Sequence, residues 1–359
     1  MNDAPHAEPH RPHAQSGTSP RTSAPGGRTV QWKQRPEGGG WFAIWLIRGI
    51  GRYGGRAVAR LLLYPITLYF LIRRGPERRA SRAYLARALQ RPATLLDVAR
   101  HIHTFAATIL DRVFLLSGQL RRFAVGIQGL ASLHAYLDAG RGVLLFGSHL
   151  GSFEVLRVLS RERPDVTVRV VLDKGHNPAM TQLLDALNPD IAATVIDAAQ
   201  DGPAIVLAIQ QAIDAGHLVA LLVDRAGPGE AAQLAPFLGR DAAFPSAPWL
   251  IAAVLGAPVL LAFGLYRGGN RYDLVFEPFS DGERVPRAQR GPRMTALIRR
   301  YATRLEHHAR HAPYNWFNFY DFWERSDDGN PVDDAPQQMD ADAVGTGVAM
   351  ERRGTVRRA

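Results

Sequence analysis

The chain has 359 residues, 46% of them hydrophobic, and a formal charge of +10. That is enough length and apolar content for one or two domains with a substantial core. It contains no cysteine, which excludes disulfides, thiolate metal sites and a cysteine-based acyl relay. Lys33 and Lys174 are its only lysines, so arginine carries nearly all the positive charge. Either genomic base composition or an anionic partner accounts for that bias: nucleic acid, a membrane surface or a phosphorylated substrate.

Residues 1–40 are rich in Pro, Gly, Ser, His and Arg and nearly devoid of large aliphatic side chains. Such a segment cannot bury enough surface to offset the entropy of ordering, so a disordered tail is expected, with His6, His10 and His13 solvated. Residues 326–359, Asp-rich and then Arg-rich, are expected to form a second tail.

Residues 41–92 are expected to be a helical, membrane-associating segment. Its apolar stretch Leu61–Ile72 would span about 18 Å as a helix, against roughly 30 Å of hydrocarbon. Arg48, Arg52, Arg56 and Arg60 recur at every fourth position before it, and Arg73, Arg74, Arg78, Arg79, Arg82 and Arg87 follow. Trp41, Trp45, Tyr53, Tyr64 and Tyr69 suit a headgroup region. A buried core helix beside a solvated basic one is the competing account. The preferred partner is an anionic membrane surface, and no nucleic-acid module is recognisable.

Residues 93–325 carry the expected globular domain. The apolar spacing of 93–120 predicts a helix, on which His101 and His103, two apart, cannot share a face as metal ligands. Apolar runs at 142–147, 166–172, 192–197, 217–223 and 257–266 predict strands. Helical patterns at 152–162, 178–187, 203–215 and 246–255 separate them. Residues 271–279 alternate as an added strand would, and 293–311 predict a last helix. Buried strands alternating with helices imply an α/β fold with a mostly parallel central sheet flanked by helices. His307, His308 and His311 suit an exposed polar helix, and no metal site is expected.

In such a sheet, ligands bind beyond the carboxyl ends of the strands. There, at the end of the 142–147 run, stands His149-Leu-Gly-Ser-Phe-Glu154. Ser152 would cap the next helix and place Glu154 in its first turn. Glu154 would then either complement the helix dipole beside a turn histidine, or orient His149 as a general base. A histidine titrates near neutrality and can take a proton from an attacking alcohol, while a carboxylate on its other nitrogen fixes the tautomer. The helix N-terminus would offer N–H groups to an oxyanion or phosphate. No G-x-S-x-G elbow and no GxxxxGK[ST] loop is present.

His149 and Glu154 resemble the H-x4-D/E motif of glycerolipid-type acyltransferases, and in particular of the bacterial lipid A secondary acyltransferases, the lauroyl and myristoyl transferases. Further segments match in order: HNPAMTQLLDAL (176–187), LLVDR (221–225), APFLG (235–239), FPSAPWLIAAVLGAPVLL (244–261) and PYNWFNFYDFW (313–323). The resemblance covers about residues 41–323. It implies an acyl thioester donor, on acyl carrier protein or coenzyme A, with no cofactor. It also implies a lipid or glycolipid acceptor and a place on the cytoplasmic face of the inner membrane. By it, His149 is the base and Glu154 its partner, and Ser148, Gly151, Ser152, Lys174, Asn177, Asp224, Arg225, Phe237 and Gly239 line the substrate site. Asp173 stands where the family usually carries an arginine, and Asp321 lies where a basic residue often follows the last motif. These departures favour another hydroxylated lipid, or an aryl polyene-type acceptor, over a phosphorylated disaccharide. A non-catalytic membrane-surface binding protein that keeps the fold is the rival from another class.

Overall fold

The computed structural model describes residues 55–323, apart from 160–162, 164, 176–177 and 228. The expected tails, residues 41–54 with Arg48 and Arg52, and the candidate site residue Asn177 lie outside the described residues.

Three helices open the described chain: α1 (Gly55–Arg73), α2 (Gly75–Leu89) and α3 (Leu95–Leu116). Thr94 begins α3 with a reciprocal cap. Its hydroxyl accepts the Asp97 N–H at 3.2 Å, and the Asp97 carboxylate accepts the Thr94 N–H at 2.8 Å. Each bond satisfies a backbone donor that a helix start leaves unpaired. The strands follow as β1 (Ala124–Gln128), β2 (Val143–Gly147), β3 (Val168–Leu172), β4 (Ile196–Asp197) and β5 (Leu218–Leu222). Helices α4 (Leu130–Asp138), α5 (Pro178–Leu187), α6 (Pro189–Thr194) and α7 (Gly202–Asp214) stand between them. A hairpin of β6 (Ala232–Phe237) and β7 (Arg240–Pro245), then α8 (Ala247–Leu255), β8 (Val259–Gly268), β9 (Arg271–Ser280) and α9 (Arg290–His311) complete the order.

The central sheet has seven strands in the order β1-β9-β8-β2-β5-β3-β4. β8, β2, β5, β3 and β4 run parallel, and β9 turns back antiparallel on β8. This is the mostly parallel α/β architecture that the sequence predicts. β2 is buried at every position because helices cover both faces there. Its residues divide strictly by parity. Leu144 and Phe146 belong to one core with Val219, Leu221, Leu261 and Phe263. Val143 and Leu145 belong to the other with Leu218, Ala220, Leu260 and Ala262. Helix α9 covers the first face with Leu297, Ile298, Tyr301, Ala302, Leu305 and Ala309 at helical spacing.

Two expected elements differ. The described start of the helix expected over 152–162 is a 3-10 turn, Phe153–Val158, where the backbone at Ser152 is bonded sideways to β8, as described below. The expected strand 192–197 is helical through Thr194 and extended only at Ile196–Asp197. Asn188 caps α6 by accepting the Ile191 N–H at 3.0 Å, and Pro189 fills its first turn. The β6–β7 hairpin, β1 and α4 are additional to the expected elements.

Helix α1 also departs from expectation. Arg56 does not join an outward basic stripe. It forms a fork to Asp111 on α3 at 2.7 and 2.9 Å, and the wholly buried Asp111 also accepts the Tyr272 hydroxyl at 2.9 Å. Arg60 reaches Tyr266 and the Gly269 carbonyl, both at 2.9 Å. Tyr64 and Thr67 meet His103 further along, so α1 lies antiparallel along α3. The side of α1 away from α3 keeps Val58, Leu61, Leu68, Tyr69 and Ile72 exposed, and Leu95 and Leu96 at the start of α3 are exposed too.

Removing one partner of a buried ion pair strands the other charge, at a cost of about 3–5 kcal/mol. Arg56→Met should therefore destabilise the protein by about 3 kcal/mol in urea unfolding. A loss below about 0.5 kcal/mol would show that α1 is not held by this pair.

Candidate active site

The carboxyl ends of the parallel strands gather the predicted site residues. β2 runs out into Ser148–Ser152, β5 into Asp224–Arg225 and β3 into Asp173–Lys174. The turn after β2 is fixed by backbone bonds on two sides. On one side Gly151 N–H donates to the Asn315 carbonyl at 2.8 Å, and Phe317 N–H donates to the His149 carbonyl at 2.9 Å. On the other, Ser152 N–H donates to the Gly264 carbonyl at 2.8 Å. The close approach needs glycine on both strands. A Cβ on Gly151, whose φ is +79°, would lie 1.9 Å from the Gly264 oxygen, and one on Gly264 would lie 2.1 Å from the Ser152 oxygen. These bonds occupy the N–H groups of Gly151 and Ser152. The predicted anion site at a helix N-terminus is therefore not formed by them.

The structure corrects the partner of His149. Its Nδ1 lies 2.8 Å from Asp224 Oδ1, and its backbone N–H donates to Asp224 Oδ2 at 3.1 Å. Trp316 Nε1–H donates to the same Oδ2 at 3.0 Å. Asp224 is wholly buried, whereas the His149 ring is 35% exposed. Glu154, five positions from His149, turns instead to Arg112 on α3 at 2.6 Å and accepts the Ser152 hydroxyl at 2.9 Å. The physical reason is the short turn. With the backbone pinned to β8, Ser152 does not cap a helix with its side chain, and its hydroxyl holds Glu154 toward α3.

The electrostatics follow from this geometry. Burial alone would raise the Asp224 carboxyl, but His149, Arg225 and the Trp316 N–H together hold it down at about 2. Asp224 is thus an anion at neutral pH. Burial and the Arg225 charge lower the His149 imidazole, Asp224 opposes them, and Arg112 lowers it further, leaving it below its ordinary 6.5. A carboxylate at Nδ1 requires the proton there, which leaves the Nε2 lone pair to accept another.

The other predicted residues divide. Arg225 stands at the same sheet edge, donates to the Phe317 carbonyl and lies over the Tyr320 ring, 5.6 Å from its centroid. Lys174 follows β3, its backbone N–H on Asp197 at 3.2 Å. Ser148 is buried. Phe237 does not face a substrate space. It is wholly buried against Phe244, Trp316 and Phe322, because the β6–β7 pairing turns it into the core. Gly239 sits with Leu238 in the left-handed hairpin turn at φ of +82° and +51°, a conformation that favours glycine.

Sequence reasoning left out Trp316 and Arg112 as site residues, and gave Asp224 a lining role only. Trp316 is itself held from α3. The buried His101 bonds its carbonyl through Nε2 at 2.9 Å and Ser81 through Nδ1 at 2.8 Å. Burial pushes His101 down to about 4, so it is neutral and donates from Nε2. Among the described residues, no cluster of His, Cys, Asp and Glu could hold a metal.

A buried aspartate that orients a partly exposed histidine, at the carboxyl edge of a parallel sheet, defines a site able to take a proton from a bound hydroxyl. The chain belongs to the bacterial lipid A biosynthesis acyltransferase family, whose model matches residues 102–325. A comparison with curated proteins finds no match. The matched span contains β2, β5, α9 and the aromatic segment around Trp316. The acyltransferase class is therefore established by family.

Gly151→Ala tests the pinned turn. With a Cβ directed into the Gly264 carbonyl, the His149 turn must move, and activity should fall at least about tenfold even where the protein stays folded, since small misplacements of a catalytic group are costly. Wild-type turnover from folded Gly151→Ala would show that the close approach is dispensable.

Proposed function

We propose that this protein transfers a fatty acyl group from an acyl thioester to a hydroxyl of a lipid or glycolipid acceptor, with His149 as general base and Asp224 as its orienter. The carrying observation is the 2.8 Å contact between His149 Nδ1 and the buried, ionised Asp224. In this reading Nε2 takes the acceptor's hydroxyl proton as the oxygen attacks the thioester carbonyl. The tetrahedral intermediate then expels the thiolate, which receives the proton from the imidazolium. Asp224 stabilises that imidazolium while it exists. The acceptor oxygen is the nucleophile, so the mechanism needs no covalent enzyme intermediate and no cofactor. Acyl carrier protein is the preferred donor carrier and coenzyme A the alternative.

A positioned base contributes on the order of 10²–10⁴-fold. His149→Ala should lower kcat by about that much. Asp224→Asn should lose at least about 10²-fold, because an amide N–H in place of the carboxylate forces the wrong imidazole tautomer. The assay supplies an acyl-loaded carrier protein with lipid A precursor in one arm and a host lipid extract in the other, and product is read by mass spectrometry. Preferential acylation of the extract is expected from Asp173 at the edge beside β3. Normal turnover in folded His149→Ala would falsify the base assignment, whereas no turnover by the wild-type protein in either arm would favour the non-catalytic binding protein.

The lowered imidazole value sets a pH dependence. The base form is neutral histidine, so kcat/KM should rise with pH along a limb whose midpoint lies below the ordinary histidine value of 6.5. An acid limb centred above 6.5 would contradict the environment described for the ring.

We further propose that the outer face of α1, with Leu95 and Leu96, rests on the cytoplasmic face of the inner membrane. The support is the exposed apolar side chains Leu61, Leu68 and Ile72 of α1, flanked by the exposed Arg73, Arg79 and Arg82. Lying along α3 through Arg56 and Arg60, the helix suits an interfacial position. Replacing Leu61, Leu68 and Ile72 together by Gln should reduce co-flotation with anionic vesicles at least about tenfold, given the transfer energy of each side chain. Unchanged flotation would remove α1 from the membrane contact.

A further inference from the structure

Glu154 lies five residues from His149, yet its oxygens are occupied by Arg112 Nε at 2.6 Å and the Ser152 hydroxyl at 2.9 Å. Arg112 is on the same face of α3 as His101, Phe105 and Thr108, one turn apart in succession. That face packs the catalytic segment: His101 bonds Trp316, and Phe105 meets the rings of Phe317 and Phe319 at 5.3 and 5.2 Å. The Arg112 side chain is 27% exposed and Glu154's 12%, so the pair is only partly screened by solvent.

We propose that Arg112 and Glu154 are positioning residues that act on His149 as a unit: Glu154 works through Arg112 rather than by touching the imidazole. The proposal rests on His149 being the base. The groups around His149 make the physical case. From the end of β5 come Asp224 and Arg225, from α3 Arg112 and from the turn Glu154. Tyr301 on α9 and Tyr320 in the final segment complete the set. Burial pushes both phenols up, so they are uncharged at neutral pH. Asp224 favours the imidazolium needed after proton transfer, while Arg225 and Arg112 favour the neutral ring needed before it. Glu154 holds the Arg112 guanidinium at contact distance and so sets where that second cation stands relative to the ring. The same ion pair ties the turn after β2 to α3, so one contact fixes both the position and the charge environment of the base.

The test is a double-mutant cycle read in the pH profile of kcat/KM, in folded full-length protein with an acyl-loaded carrier. Glu154→Gln leaves the Arg112 charge unbalanced, so the acid limb should move to lower pH, on the order of half a pH unit. Arg112→Gln removes a cation and should move it to higher pH by a similar amount. In the Arg112→Gln background, Glu154→Gln should shift the limb less than in the wild type, because the carboxylate no longer also fixes where a guanidinium stands. Arg112→Lys retains the cation and should keep the limb near that of wild type. It carries the test together with Arg112→Gln if Glu154→Gln does not fold. A limb shift by Glu154→Gln that is as large without Arg112 as with it would mean that Glu154 acts on His149 directly, and would overturn the proposal. A limb unmoved in every variant would reduce the pair to a brace for the turn and overturn it too. Failure of the underlying base assignment is separately visible, as an active His149→Ala.

Discussion

The Asp224 carboxylate organises the whole candidate site. It is fully buried and accepts from three donors: the His149 backbone, the His149 ring and the Trp316 indole. A carboxylate removed from water is tolerated only when its lone pairs are met by donors or charge. Here the donors come from the end of β2 and from the segment after α9, 75 and 92 residues from Asp224 at the end of β5. Satisfying one buried anion thus brings together the parts of the sequence that the proposed chemistry uses.

The rest of the structure can be followed outward from that point. Trp316 is placed by His101 and packed edge-to-face among Tyr84, Phe237 and Phe322, which accounts for the dense aromatic ending of the domain as packing around the carboxylate's third donor. Tyr301 of α9 donates to the Gly147 carbonyl at 3.1 Å, so the helix covering one sheet face also secures the last residue of β2. The paired glycines 151 and 264 let the turn after β2 lie against β8. Rigidity at this turn suits the proposed base, which must be held within a fraction of an ångström to be effective.

The arginines divide into structural and outward groups that composition could not separate. Arg56, Arg60, Arg112 and Arg225 have partners within the domain, whereas Arg73, Arg79 and Arg82 are exposed beside the apolar face of α1. The first group holds helices and turns around the site. The second supplies the charge on which the proposed membrane contact draws.

By itself the sequence determined the α/β class, most strands of the parallel sheet, the helices α3, α5, α7, α8 and α9, and the position of His149 at a strand's carboxyl end. Those features follow from local periodicity and turn residues, which act over a few positions. The ordered motifs also carried the family resemblance that the match over residues 102–325 establishes. Tertiary structure alone decided which carboxylate serves His149. Spacing pointed to Glu154 because it is near in sequence, but the backbone bonds from Ser152 to Gly264 and from Gly151 to Asn315 lead into a 3-10 turn on which Glu154 faces Arg112. The same bonds leave the ring facing Asp224, supplied by β5 next door in the sheet. A hydrogen bond between neighbouring parallel strands leaves no periodic trace in either segment, so only the folded sheet could make that choice.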